Sequence, residues 1–397
     1  MPSLPRVCLF TSFHPDLGGG GSACLQSVIL RFTRVEVRWL FLGVSDAVFP
    51  NTRRIGAPLF GGQFLMDMLT APWLWSGWQS RKLRRMVDAI AEEDADSFWC
   101  VAMNEGILVG NALMDHRRVP MHVSVQDDQA EAICRRSRRY RLLEPLALRA
   151  WSRHLHRASG VDVISDGMRD YYREHRGLDS FVFHPHVPSL PKLDGVPNDC
   201  ELHVGHLGTL YSEVEMRRFM EGAGLAARFL GRRLRLTFIG GNRINPARHA
   251  SLLPPDARIE ISPSLGETEA LHRLSSCHLL YALYPFEERC RVFRMTSLPT
   301  KLSSYIQIQR PVFAHTPEDS TLAEMVNQHR IGGVCDSLDP TVIGGSILRI
   351  LQHLPERDAF EKMRIVEYGD QHVTRLEDAL LALASSQTAH AGARIAP

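Results

Sequence analysis

The stretch Ser297–Ala314, SLPTKLSSYIQIQRPVFA, decides how the rest of the chain is read. Pro299 presets the φ of a first helical turn, and Ser297 or Thr300 is expected to cap its free N–H groups. Leu302, Tyr305 and Ile306 fall at i, i+3 and i+4, which gives a short helix one apolar face. Gln309-Arg310-Pro311 should stop that helix, and Val312-Phe313-Ala314 resumes as a buried strand. A helix N-terminus carries partial positive charge and unpaired donors, so it suits an anion. Lys301 sits in that first turn. The chain has four lysines (Lys82, Lys192, Lys301, Lys362) among 46 Lys and Arg residues, so a lysine here departs from the local habit. A point charge with three rotatable donors suits a phosphate. The plain alternative is a surface lysine before an ordinary helix.

Upstream, strand and helix patterns alternate on both sides of a proline-rich break. Val7–Phe10 is an apolar run that reads as the first strand of a parallel sheet. Four glycines, Gly18–Gly21, follow, and Ser22 is expected to cap a helix carrying Cys24, Leu25, Val28, Ile29 and Phe32 on one face. Strand, glycine loop, helix is a geometry in which backbone approaches a phosphate. It is not GxGxxG with an acid about 20 residues on, so a dinucleotide site is not supported. Further strands are expected at 37–44, 97–102, 121–125, 160–164 and 181–184, with helices at 81–93 and 105–114 and another starting at Ser165. Gln126-Asp127-Asp128 stands at the C-terminal end of a strand, where open α/β sheets place ligand groups. His186–Asp199 holds Pro188, Pro191 and Pro197 and reads as a linker. The plan then restarts: strands at 201–206, 234–239, 258–261 and 278–284, helices at 213–229 and 267–277, then the opening stretch and helices at 340–351, 356–368 and 373–384. Two α/β domains with parallel sheets result.

Composition bounds the function. At 397 residues the chain is expected to hold two domains, and a net charge of +2 gives no global case for nucleic acid. Eight cysteines without a CxxC pair argue for a reducing compartment and against a zinc cluster. The N-terminus is expected to enter a strand directly, without a signal peptide, and no apolar run is long enough to span a bilayer. The expected location is the cytoplasm. Two segments hint at a membrane face. Leu59–Trp78 is rich in Leu, Met, Phe and Trp, and Arg135–Arg157 sets eight arginines against Glu144. The first is either core packing or an interfacial segment; the second is either a solvated helix face or a contact with anionic lipid or an anionic acceptor.

Five blocks, in order, resemble the group 1 (family 4) glycosyltransferases of the GT-B fold. They are Gly18–Gly21 after the first strand, VISDGMRDYY (Val163–Tyr172), VGHLGTLY (Val204–Tyr211), LTFIGG (Leu236–Gly241) and Ser297–Ala314. The resemblance covers Val7 to about Ala384. It implies an α/β chain of two Rossmann-like domains with parallel sheets facing a central cleft. Residues 1–188 would hold the acceptor and residues 189–372 the nucleotide-sugar donor. Residues 373–384 would be a helix crossing back to the first domain, and 385–397 a tail. It implies transfer of a sugar from a nucleoside-diphosphate sugar to a glycan or lipid-linked acceptor, with retention, without metal or other cofactor.

Carried residue by residue, the resemblance gives Lys301 and Asp127 catalytic roles. Ser297, Gly208 and Thr209 would meet the diphosphate, with Gly19 and Gly20 approaching it from the other domain. Gly240 and Arg243 would contact the diphosphate or base, and Ser264 and Leu265 would lie near the base. Thr296 and Ser304 stand where the family often carries two glutamates, so Ser304 is the position expected beside donor hydroxyls. Gln126 stands where a histidine often precedes the aspartate. Phosphate contacts could instead fall on Arg289, Arg291 or Arg294. Two other readings of the fold are a sugar-nucleotide epimerase and a non-catalytic partner subunit.

Overall fold

The computed structural model describes residues 4–16, 20–59, 72–73, 75, 80–116, 120–134, 140–191, 195, 197–240 and 244–392. Two compact units partition the chain: Met1–His186 with Asp370–Pro397, and Val187–Gly369.

The first unit is built on seven strands: β1 (Arg6–Thr11), β2 (Glu36–Leu42), β3 (Thr52–Gly56), β4 (Ser97–Val101), β5 (Met121–Val125), β6 (Gly160–Val163) and β7 (Phe181–Val182). They lie in the order β3-β2-β1-β4-β5-β6-β7, with every pairing parallel. β4 and β5 are buried at every residue, as strands covered on both faces must be. The helices are α1 (Gly20–Ile29), α2 (Arg81–Ala91), α3 (Glu105–His116), α4 (Glu144–Arg157) and α5 (Asp166–Arg176). Ser80 and Ser165 cap α2 and α5 through their side chains. Ser22 is not the cap expected of it. The helix already begins at Gly20, and the Ser22 hydroxyl is buried without a hydrogen-bond partner.

The second unit repeats the plan with β8 (Glu201–Leu207), β9 (Arg233–Ile239), β10 (Arg258–Ser262), β11 (Leu279–Leu283), β12 (Val312–His315) and β13 (Gly332–Cys335), in the order β10-β9-β8-β11-β12-β13. All its pairings are parallel. Its helices are α6 (Glu213–Leu230), α7 (Glu267–Leu274), α8 (Arg291–Thr296), α9 (Lys301–Ile308), α10 (Thr321–His329), α11 (Pro340–Gln352) and α12 (Arg357–Tyr368). One core gathers Met216, Phe219, Met220 and Ala223 of α6 with Leu236, Phe238, Tyr281, Phe313, Ile343 and Ile347. The Phe219 and Tyr281 rings stack at 3.8 Å. α10 and β13 carry no clear sequence signal. β13 is an edge strand opening on Gly332-Gly333, and a Cβ at Gly332 would stand 1.9 Å from the Val312 carbonyl oxygen, so the strand pairs only because no side chain is there.

The last helix, α13 (Asp370–Gly392), returns to the first unit. It packs on β1, β4 and β5 through Val373, Leu376 and Leu380. Its Glu377 accepts hydrogen bonds from the backbone N–H groups of Thr33 and Arg34 at 2.7 and 2.6 Å. The stretch expected as a tail from Ser385 continues this helix to Gly392, for no proline interrupts it and Ala389 and Ala391 favour it.

Candidate functional site

In the second unit the chain leaves β8 toward one sheet edge and β11 toward the other, so β8 and β11 flank a topological switch point. Ligands of open α/β sheets bind outside the carboxyl ends of such strands. Two turns line up there. Gly208, after β8, has φ +82° and donates its N–H to Ile239 O at 2.7 Å. Gly240, after β9, has φ +133° and donates to Ser262 O at 3.0 Å. A Cβ on Gly240 would stand 3.0 Å from Gly208 Cα, so neither φ nor space admits a side chain.

Lys301 opens α9 and runs beneath these turns. Its Nζ donates to Thr209 O at 3.1 Å and lies 3.4 Å from His206 Nε2. It also sits over the Tyr211 ring, 5.2 Å from the centroid, within cation–π range. Tyr211 is held in turn by stacking on Tyr284 and by the edge of Phe293. Lys301 is only 7% exposed. Burial draws its amine down from 10.5 to about 7. Among the described residues no carboxylate pairs with it, so the amine has no counter-ion there.

The end of β8 is pinned from below. Tyr305 accepts a hydrogen bond from the Leu207 N–H at 3.0 Å and donates its hydroxyl to Tyr281 O at 2.8 Å. The loop before α9 is equally fixed: Ser297 O accepts from the Tyr284 hydroxyl at 2.8 Å and from the Thr321 hydroxyl. Neither Ser297 nor Thr300 caps α9. Thr300 is already helical (φ −55°, ψ −23°) and makes no side-chain cap bond, because Pro299 O takes up the Leu302 N–H in the first turn.

Of the residues expected at the donor site, Lys301, Gly208, Thr209 and Gly240 therefore meet directly, and Ser297 is buried in the loop leading to α9. Ser264 and Leu265 lie in the loop between β10 and α7, next to the turn that Gly240 makes with Ser262. Ser304 is half-buried on α9, and Thr296 is fully buried with its hydroxyl donating to Val292 O at 2.7 Å. Arg243 lies outside the described residues. The three alternative arginines are engaged elsewhere. Arg294 forks onto Asp319 at 2.6 and 2.9 Å, Arg291 reaches the same carboxylate, and Arg289 pairs with Glu287. Sequence reasoning passed over His206 and Tyr211; their only signal was polar and aromatic character at the end of an apolar strand.

In the first unit, Gly19 lies outside the described residues and Gly20 is the first residue of α1. A Cβ at Gly21 would meet the Gln126 side-chain oxygen at 2.5 Å, so the start of α1 and the end of β5 adjoin. Asp127 follows Gln126 and is half-buried. Its neighbour Asp128 is fully buried and accepts from Ala130 N–H, Glu131 N–H, the Tyr172 hydroxyl and Arg176. Tyr171 and Arg176 meet Glu131 at 2.8 and 2.6 Å. The tyrosines of VISDGMRDYY thus tie α5 to the end of β5. Part of the arginine stretch, 135–139, and most of 59–78 lie outside the described residues. Within α4, Arg153 and Arg157 both bond Asp115 of α3, an acid invisible to a local charge count.

No family model matches the chain, and no curated protein is similar to it in sequence. Solved structures are similar in fold. α,α-Trehalose 6-phosphate synthase from Burkholderia multivorans superposes with a TM-score of 0.62 at 14% identity, covering 98% of this chain and 100% of that one. WaaG, a glycosyltransferase involved in lipopolysaccharide biosynthesis, gives 0.59 at 13%, covering 94% and 99%. S. aureus MnaA, solved with UDP, gives 0.56 at 10%, covering 94% of each chain. The fold is GT-B. As expected from the repeated strand-helix plan, it consists of two Rossmann-like domains with wholly parallel sheets.

Proposed function

We propose that the protein is a glycosyltransferase that takes its sugar from a nucleoside-diphosphate donor held by the second unit. The observation that carries this reading is Lys301: a buried amine with no carboxylate partner among the described residues, beside the Gly208 and Gly240 turns, at the switch point of a parallel sheet. When the sugar leaves, negative charge grows on the diphosphate oxygens. A cation and backbone donors fixed in a water-poor site stabilise that charge with little reorganisation. The incoming anion would also keep Lys301 protonated. Retention, a metal-free reaction and an Asp127 role on the acceptor side belong to the same proposal, supported by the sequence resemblance. So does a glycan or lipid-linked acceptor reached in the cytoplasm by peripheral contact with anionic lipid. Trp73, 66% exposed, and the exposed Arg149 support the membrane contact.

The test is a thermal-shift screen with UDP, GDP, ADP and CMP. A ligand that binds only the folded state at 100 times its Kd stabilises by about 2.7 kcal/mol. One diphosphate should raise the melting temperature of the wild type and leave Lys301→Met unmoved. No shift with any nucleotide would sink the donor reading.

A further inference from the structure

Lys301 points where it does because of a second residue. His206 ends the buried part of β8 and is itself 1% exposed. Its Nδ1 lies 2.9 Å from Tyr281 O. A carbonyl can only accept, so the neutral ring carries its proton on Nδ1 and presents the Nε2 lone pair. That lone pair faces Lys301 Nζ at 3.4 Å. The same Tyr281 carbonyl accepts from Tyr305, and its 2.9 Å approach to Nδ1, closer than the 3.4 Å contact at Nε2, is the ground for assigning the proton to Nδ1.

From these distances we infer that His206 is a positioning residue: its locked Nε2 acceptor, with Thr209 O, aims the Lys301 amine at the Gly208–Thr209 turn. The inference rests on the donor reading above, in which that turn receives the diphosphate. An amine on a four-carbon stem has no orientation of its own, and two acceptors set it. The ring also fills the space beneath the turn, between Phe238 and Tyr281. Among the described residues, the groups facing the amine are His206 from β8 and Thr209 O and the Tyr211 ring from the loop after it, while Tyr281 of β11 and Tyr305 of α9 stand behind His206. Burial pushes Tyr281 and Tyr305 up, so both stay neutral, and it holds His206 well below its ordinary value, aided by the Lys301 charge. His206 therefore stays an acceptor across the range in which Lys301 titrates.

The test pairs two variants with two readouts. His206→Phe keeps the ring and removes the acceptor. His206→Gln restores a carbonyl acceptor and serves if the phenylalanine variant does not fold. The first readout, which needs no nucleotide, is the pH profile of Lys301 acylation by an amine-reactive reagent, followed by mass spectrometry. Losing an acceptor disfavours the charged amine, so the His206→Phe midpoint should fall by about one pH unit. The glutamine variant should stay near the wild type. The second readout is affinity for the diphosphate found in the nucleotide screen, which should weaken about tenfold in His206→Phe and recover in His206→Gln. A His206→Phe protein with the wild-type acylation profile overturns the inference, as does a folded His206→Gln protein whose profile shifts as far as that of His206→Phe. A shifted profile in a protein that binds no nucleotide keeps the placement of Lys301 by His206 and overturns only the donor reading.

Discussion

Replacing Lys301 by methionine should stabilise the fold at neutral pH while abolishing diphosphate binding, and the stabilisation should fade as the pH rises. The amine titrates near 10.5 when free and near 7 in the folded chain, through burial. Between those values the unfolded chain holds the proton and the folded chain does not. Wild-type stability therefore climbs with pH across this window, at about 1.4 kcal/mol per unit. Below about 7 both states are protonated and the full penalty, roughly 5 kcal/mol, is present. Methionine carries no charge and fills nearly the same volume. It loses the bond to Thr209 O, worth about 1 kcal/mol. The variant's advantage over the wild type should therefore shrink by roughly 2 kcal/mol between pH 7 and 9. Urea unfolding followed by hydrogen exchange of β8 and α9 peptides reads this directly. Every tryptophan (Trp39, Trp73, Trp75, Trp78, Trp99, Trp151) lies in the first unit, so indole fluorescence serves as an internal control that should not differ. Stability curves that run parallel from pH 7 to 9 would refute the claim that Lys301 is buried without a counter-ion.

Two further substitutions probe the frame. Gly240→Ala should destabilise the second unit by about 2 kcal/mol or more and weaken nucleotide binding with it, since φ +133° and the 3.0 Å approach to Gly208 both exclude a Cβ; denaturant midpoints check this, and a neutral variant would mean the two turns are not held in register. His154, fully buried on α4 against Gly110 with both ring nitrogens unpartnered, is drawn down by burial to about 3. The unfolded chain takes up this proton first, so wild-type stability should drain away as the pH falls from about 6.5 toward 3. His154→Leu should flatten that acid slope, read by tryptophan fluorescence of the first unit.

The repeat plan was legible because parallel strands covered on both faces are written as short apolar runs, as in Ser97–Val101 and Leu279–Leu283, both buried throughout. What escaped was written in small or polar residues. β13 is GGVC, and β3 is TRRIG at a half-exposed edge. Lys301 stood out by residue type, and the resemblance marked the glycine turns, since an odd lysine and glycines after strands are visible one at a time. Their mutual geometry was not, because His206, Gly240 and Lys301 are brought together only by strand order. The arginines misled for the same reason. Arg294 reads as a free cation until Asp319, far along the chain, closes on it.

The sequence blocks that looked separate are one object in space. Lys301 and Tyr305 lie four residues apart, on one face of α9. The lysine reaches the carbonyl of the turn after β8, and the tyrosine bridges the last β8 amide to the β11 carbonyl that also fixes His206. A cation and its anchor thus arise from a single helical turn. Both act on the gap between β8 and β11, where the order of the sheet reverses. This arrangement does not depend on residue 304, whose neighbour Tyr305 does the anchoring. A serine at 304 therefore leaves the Lys301–Tyr305 geometry intact, and, under the proposed function, any consequence of lacking a carboxylate there should fall on recognition of the sugar or ribose and not on capture of the diphosphate.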